Sequence, residues 1–338
     1  MRFKKLVAST MIGCFLLSST VQGTEVFAAS KTKIVQTKKG QKNQNNKKQT
    51  NNRTKKVVVS QEELALKNRV KEAQINAANI QSAEATMKMV MDMNMEYQGQ
   101  KQTLPMRTTG KITMFQNPMK AKMDLKLNTS TLPFMDNMSM QIYLEEKDDK
   151  ITEYIQFGDE WQAIELSSKD MIKQVKQFNT VDNIDLLLTG LSNLKELGKE
   201  QVAGKETTKI EGILSKDAIK SLLESTGVLQ MGNMMEEEQE ITNKMLDSFG
   251  KIKITFWLTE DNQLVQVKED LTEAMNKMMS SIAKEAGDDL KMGISKMVIV
   301  VTYNKINDVP DFTIPQEAYN AKKLEVPEMP EVSEVPEK

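Results

Sequence analysis

The chain has 338 residues, a net charge of −1, one cysteine and no histidine. This composition excludes a zinc site of the Cys/His type and a serine or cysteine nucleophile activated by histidine. A single cysteine also excludes a disulfide framework. An enzyme built from this sequence would have to work with carboxylates, lysine, tyrosine or serine.

Residues 1–28 have the features of a secretory signal peptide. A basic start precedes an apolar run at residues 6–17, which is too short for a stable transmembrane anchor. Cleavage is predicted after Ala28. Gly13-Cys14 also resembles the end of a lipobox, so a lipid anchor on Cys14 is the alternative to simple secretion. We expect a secreted or extracytoplasmic envelope protein of the Gram-positive type, lipid-anchored if Cys14 is modified.

Both ends of the exported chain are predicted to be extended. Residues 29–57 form a linker dominated by Lys, Asn and Gln, with ten Lys or Arg and no acidic residue between 31 and 56. That composition is typical of disorder. The linker either contacts an anionic cell-wall polymer or membrane surface, or serves only as a spacer; nucleic acid is not expected after export. Residues 325–338 are predicted to be an acidic, Pro-rich tail, which leaves residues 58–324 as the folded domain.

The folded part is predicted to begin with a helix. Ser60 and Glu63 fit a capping box, in which each side chain satisfies the backbone N–H of the other. A narrow apolar stripe follows at helical spacing and should pack on a sheet. Its members are Val70, Ala73, Ala77 and Ile80.

The hydrophobic period then changes to two, which is typical of antiparallel strands with one buried face. Strands are predicted at 87–99, 110–116, 118–128 and 138–146, and 151–166 reads as two strands joined at Gly158-Asp159. Hairpins are predicted at 195–214, with a turn near Ala203-Gly204, and at 251–271, with a turn at Asp261-Asn262. A last strand is predicted at 294–307. Helical patterns cover 167–194, 216–227 behind a Ser215 cap, 231–250 and 272–289. Because strands and helices are segregated, the predicted fold class is α+β with an antiparallel sheet.

Residues 87–95 place a methionine at every second position, which would bring five thioether side chains to one face of a strand. A plain core is one interpretation, since burying one methionine contributes roughly 1.5–3 kcal/mol. The wall of a deformable apolar cavity is another, because methionine recurs where a surface must adapt to varied apolar partners. The two interpretations overlap, since one end of a strand can pack in the core while the other end lines a cavity.

A soft-metal site is a third interpretation, because thioethers select Cu(I). Side chains two apart on one strand are separated by about 6.6 Å, too far for one ion unless they bend inward together. No metal site is therefore expected. The charge runs at 145–150 and 235–240 are predicted to be a solvated turn and a solvated helix face, because neither has the spacing of a calcium loop. With no nucleophile or phosphate-binding motif, we expect no catalytic residue and no cofactor.

The order of elements resembles the LolA/LppX-like envelope proteins, and more closely a Gram-positive branch of largely uncharacterised secreted and lipoprotein members. The resemblance covers most of residues 64–321 and is carried by the helix before 87–99 and by residues 110–115, 117–127, 198–224, 255–271 and 301–318. It implies an incomplete antiparallel β-barrel, a curved sheet packed around helices, with an apolar cavity between sheet and helices. Characterised members carry lipids or lipoproteins across an envelope, whereas the branch nearest this sequence has no activity to transfer. The resemblance implies no catalytic residue.

Together these observations predict an exported envelope protein that binds a lipid or acyl chain in a methionine-lined cavity. The alternative is a structural or interaction module with a filled core, which binds cell-wall polymer or protein through its surface and basic linker. A monomer is expected. The candidate cavity residues are Met87, Met89, Met91, Met93, Met95, Met114, Met123, Leu125, Met138 and Met140.

Overall fold

The computed structural model describes residues 60–97, 99–129, 137–166, 187–225, 250–286 and 290–324. Predictions that lie outside these residues are the signal peptide, Cys14, the linker, the acidic tail, and the helical patterns at 167–186 and 231–249. Within the described residues, most of the chain belongs to one curved, unclosed sheet with few helices. The predicted antiparallel sheet is therefore confirmed, whereas the α+β balance stays a prediction, because two predicted helical patterns lie outside the described residues.

The first half of the sheet is a meander in which each strand is antiparallel to the next. Its strands are β1 (Ser82–Tyr97), β2 (Gln100–Phe115), β3 (Lys120–Asn128), β4 (Met138–Lys147), β5 (Lys150–Phe157) and β6 (Glu160–Leu166).

The second half is another antiparallel series, and its last strand returns to pair with β1. Its strands are β7 (Leu191–Val202), β8 (Lys205–Leu214), β9 (Ile252–Leu258), β10 (Leu264–Asp270) and β11 (Leu290–Ile306). A short β12 (Lys322–Leu324) runs parallel to β6. The strand order is β12-β6-β5-β4-β3-β2-β1-β11-β10-β9-β8-β7. The β1–β11 pairing therefore joins the two halves into one surface.

Four helices lie entirely in the described part of the chain: α1 (Gln61–Ala78), α2 (Lys216–Ser225), α3 (Thr272–Ala286) and α4 (Gln316–Tyr319). Residues 187–190, directly before β7, are also helical. The Ser60 hydroxyl accepts the Glu63 N–H at 3.0 Å, as predicted. The Glu63 carboxylate instead accepts the N–H of Leu194 at 3.3 Å, which satisfies a backbone group of β7. Ser215 caps α2 by accepting the Ala218 N–H. None of the described helices has the length and apolarity needed to cross a membrane.

Several strands are longer than their hydrophobic patterns predicted. β1 begins at Ser82, whereas the sequence placed its start at Met87. Ala83 and Ala85 are fully buried members of the main core. Alanine gives a weak hydrophobic signal, and the tight packing around these residues is set by distant parts of the chain. The helical pattern predicted up to residue 194 was wrong at its end, because β7 begins at Leu191.

The predicted turns are confirmed by backbone conformations that favour short polar residues or glycine. Asn262 has φ +58° in the β9–β10 hairpin, and Gly204 has φ +78° between β7 and β8. Asp148 and Asp149 have φ +52° and +57° and connect β4 to β5. The charge run at 145–150 is therefore, in its exposed half, the solvated turn that the sequence predicted.

A small second core lies on the opposite side of the sheet from the main core. Residues 311–321, which we call the C-terminal strap, cover buried Tyr143 and Tyr154 with Ile314 and Ala318. The Lys120 ammonium binds the Asp311 carboxylate at 2.7 Å and fixes the start of the strap. The strap therefore packs on the face of these strands that points away from the main core.

Candidate ligand-binding face

The candidate residues share one side of the sheet, which we call the inner face. Met87 of β1 lies opposite Gly110 of β2 and Val301 of β11. The same cross-strand row continues through Leu125 of β3 to Met140 of β4. Since directly paired residues project to the same side of a sheet, the register brings candidates from β1, β3 and β4 together. The pairings place all ten candidates on the inner face.

Four candidates are packed in the middle of the main core. Met87 and Met123 are each 8% exposed, and Met89 and Leu125 are each 6% exposed. All four belong to one continuous cluster of buried apolar side chains. In this part of the face the plain-core interpretation of the methionine stripe describes what the structure shows.

Gly110 shows how closely this centre is packed. A methyl group placed on Gly110 would lie 2.6 Å from Leu125 Cδ2 and 3.6 Å from Met87 Cε. Side chains from β1 and β3 thus lean over the glycine of β2 and fill the space that a larger residue would occupy.

The other six candidates are only half-buried. Of these, four pack against the edge of the main core: Met91, Met93, Met114 and Met140. Met95 and Met138 are half-buried without belonging to that set. The inner face therefore changes along β1 from a packed centre to a partly solvated apolar surface.

Further methionines belong to the inner face, although the sequence did not assign them to it; of these, Met106 and Met297 are buried. Met106 of β2 and Met297 of β11 lie directly opposite Met91, one on each side. Met278 and Met279 of α3 also pack, half-buried, against the main core. The alternation of β2 and the helical spacing of α3 were visible in the sequence, but only the register connects them with β1.

A buried carboxyl group interrupts the apolar inner face on β10. Glu269 is 5% exposed and lies opposite Ile254 of β9 and Ile299 of β11. Its Oε2 has no hydrogen-bond partner in the described part of the chain. Burial raises the pKa of Glu269 to about 7. Removal from water penalises the charged form, and no cation among the described residues compensates it.

A second carboxyl group, Glu153 of β5, lies on the same face beyond the packed centre. It is half-buried, and burial raises its pKa above the usual range of a glutamate. Sequence reasoning missed both groups, although a local signal existed. Glu153 alternates with Ile151 and Ile155, and Glu269 follows Val267 at strand spacing. The signal that identifies both groups is a glutamate at an apolar position of a period-two pattern.

Charged side chains of the outer face are paired near the surface. Arg107 binds the Asp92 carboxylate at 2.7 Å. Glu96 lies 3.3 Å from the Lys291 ammonium and 3.8 Å from that of Lys101. Such exposed pairs contribute little to stability, about 0–1 kcal/mol each. They mark the outer face around β1 as the solvated side.

Two surface pockets in the described part of the chain have polar or charged walls. One lies at the turns that hold Pro118 and Asp148, and the other lies between Arg69, Glu196 and Glu260. Neither wall includes a candidate methionine. Among the described residues, no three His, Cys, Asp or Glu side chains are arranged to hold a metal ion.

Comparisons with known proteins find similarity in structure. No protein-family model and no curated protein matches the chain. The lipoprotein LppX of Mycobacterium tuberculosis is 16% identical, with 73% of this chain and 98% of that chain covered and a TM-score of 0.41. LprF of Mycobacterium bovis is 12% identical, with 75% and 98% covered and a TM-score of 0.38.

A third solved structure is a domain assigned to outer membrane lipoprotein sorting in Vibrio parahaemolyticus. It is 8% identical, with 72% of this chain and 93% of that chain covered and a TM-score of 0.19. The matching structures thus include the LppX-like and lipoprotein-sorting proteins that the sequence resemblance named. The Gram-positive branch stays a prediction.

Proposed function

We propose that this is an exported, non-catalytic protein that binds an apolar ligand, a lipid or acyl chain, on the inner face of its sheet. The observation that carries the proposal is the half-buried apolar surface beyond the packed centre. Its candidate members surround that centre: Met91, Met93 and Met95 at the C-terminal end of β1, Met138 and Met140 on β4, and Met114 of β2, which lies opposite Ala83 at the start of β1. A ligand lying on this surface would remove it from water.

The energetics and the residue type both favour an apolar ligand. Complete burial of one methionine side chain contributes roughly 1.5–3 kcal/mol, and part of that gain is still available at a half-buried position. Methionine also adapts its shape through three rotatable bonds, so one surface can fit acyl chains of different lengths. Valine or isoleucine at the same positions would specify one packing more strictly.

The first test is chemical. The full exported chain, purified under mild conditions, is extracted with organic solvent, and the extract is analysed by mass spectrometry. We expect about one lipid or acyl chain for each protein molecule. An empty extract, together with no fatty acid or phospholipid bound to the stripped protein in a native mass spectrum, would contradict the proposal.

A matched pair of variants then locates the site. Met93→Lys places a charge on the half-buried inner face, whereas Asn94→Lys places the same charge one residue away on the exposed outer face. We expect Met93→Lys to weaken ligand binding about tenfold or more, because an ammonium group in an apolar contact costs more than about 1.4 kcal/mol. Asn94→Lys should bind normally. Thermal unfolding of both variants checks that the fold is intact.

The second candidate function is a structural or interaction module with a filled core. The packed centre at Met87, Met89, Met123 and Leu125 favours it. In this case an anionic cell-wall polymer or membrane surface would bind through the basic linker. Deleting residues 31–56 should then abolish binding to that polymer, and added salt should weaken it.

Intact-mass measurement of the exported protein tests lipid on Cys14, since cleavage after Ala28 would remove that residue.

A further inference from the structure

Glu153 lies in an apolar part of the inner face, away from the packed centre. It pairs directly with Leu144 of β4 and Ile164 of β6. On its own strand, Ile151 and Ile155 occupy the neighbouring inner-face positions. Leu144, Glu153, Ile155 and Ile164 are all half-buried, so the carboxyl group lies on partly solvated apolar surface.

This carboxyl group differs from its neighbours because it has no partner among the residues that the structure describes. Glu165 of β6, on the outer face, accepts hydrogen bonds from Lys150 at 2.7 Å and Lys323 at 3.1 Å. Glu146 of β4 accepts the backbone N–H of Met119. A polar group removed from water without a partner costs free energy, and this cost is largest for a charge. Among the described residues, the site of Glu153 therefore offers no hydrogen-bond donor and no cation.

The basic residues of β1 to β6 all lie on the other side, and among the described residues of this half of the sheet only exposed Lys322 of β12 shares the inner-face register, two strands away from β5. By strand pairing and alternation, every lysine and arginine of β1 to β6 projects from the outer face. An anionic ligand group on the inner face would meet no cation from these strands. A cationic group would meet the Glu153 carboxylate, so the charges on this face favour a cation.

We propose that the polar end of the ligand is an amine, held as an ammonium group against Glu153. The apolar chain would run from β5 across the half-buried side chains of Leu144, Ala121 and Met114, which the register places in one row with Glu153. β5 and β2 are three spacings apart, about 14 Å, which gives room for an extended acyl chain. The ammonium would supply the charge-assisted hydrogen bond that the carboxylate lacks. This inference rests on the proposed function and assigns a chemical class to the ligand.

Three probes with the same chain and different ends test the assignment: dodecylamine, dodecanol and dodecanoic acid. Binding to the lipid-stripped, full exported chain is measured by calorimetry below the micellar concentration of each probe, at about pH 8, which lies well above the ordinary pKa of a glutamate. We expect the amine to bind at least about tenfold more tightly than the acid, the ratio that one charge-assisted hydrogen bond provides. Glu153→Gln should remove most of this preference. Glu165→Gln, a change of the same kind on the outer face, should preserve it.

The outcomes separate this inference from the proposed function. If none of the three probes binds, both are wrong. If all bind equally, or if Glu153→Gln leaves the amine-to-acid ratio unchanged, the amine assignment is wrong while apolar binding stands. The ratio on the unmodified protein decides the question even if a variant fails to fold, since an acid that binds as tightly as the amine overturns the assignment.

Discussion

Glu269 gives the sharpest test of the packing described above. Its carboxyl group is buried between Ile254 and Ile299, and its Oε2 has no hydrogen-bond partner in the described part of the chain. The change Glu269→Gln keeps the size of the side chain and removes its ability to ionise. If the site is as apolar as the structure shows, this substitution should change the pH dependence of stability in a defined direction.

The size of this pH effect follows from the difference in the pKa of Glu269 between the folded and unfolded states. Burial raises the pKa of Glu269 from 4.5 to about 7. The folded protein thus holds its proton more tightly than the unfolded chain does. This tighter proton binding contributes to the free energy of unfolding. The contribution is fully present below about pH 4.5 and is lost as the pH rises through about 7. At about 1.4 kcal/mol for each pH unit, the loss amounts to about 3 kcal/mol.

Urea unfolding at several pH values measures this loss directly. The free energy of unfolding of Glu269→Gln, relative to the unmodified protein, should rise by about 3 kcal/mol between about pH 4 and about pH 8. Comparing the two proteins at each pH cancels the titration of all other groups. Glu260→Gln, which changes an exposed carboxyl group in the next turn, should show no such rise. Parallel pH profiles for the unmodified protein and Glu269→Gln would refute an unpaired, buried carboxyl group.

Two further predictions concern the methionine face. Gly110→Ala should lower the free energy of unfolding by about 1 kcal/mol, because the new methyl group would displace the Leu125 side chain. The cost should shrink in a Leu125→Ala background, and exposed Thr109→Ala should have little effect. Met87→Ala should cost about 2–5 kcal/mol. Met95→Ala should cost clearly less, because its side chain is half-buried.

The glycine and methionine variants are all measured by urea unfolding. The slope of the free energy of unfolding against urea concentration should stay unchanged, which is the control for an intact fold. Equal costs of Gly110→Ala with and without Leu125 would show that the two side chains do not compete for space. Equal costs of Met87→Ala and Met95→Ala would show that the inner face is packed uniformly along β1. That result would remove the partly solvated surface on which the proposed ligand site depends.

Much of the fold could be predicted because its signals are local. Alternation predicted the strands at residues 118–128 and 138–146 to within two residues, and polar dipeptides predicted the hairpin turns. The start of β1 was missed because Ala83 and Ala85 are buried without being strongly hydrophobic. Their burial depends on close contacts made by distant segments, which have no counterpart in the local pattern.

The candidate site was predicted in outline only. The sequence could place Met87 and Met95 on the same face of one strand, since side chains alternate along any strand. It could not tell that Met87 is buried while Met95 is half-buried. It also could not align Met106 and Met297 with Met91, because register joins residues far apart in the chain.

The sequence by itself determined which chemistries this protein lacks and which side of each strand is apolar. Composition is a property of the chain, and alternation follows from strand geometry alone. The tertiary structure decided how that apolar side is used: a packed centre over Gly110, a half-buried methionine surface beyond it, and carboxyl groups without described partners at Glu153 and Glu269. Burial and charge pairing depend on which distant segments cover a residue, and only folding brings those segments together.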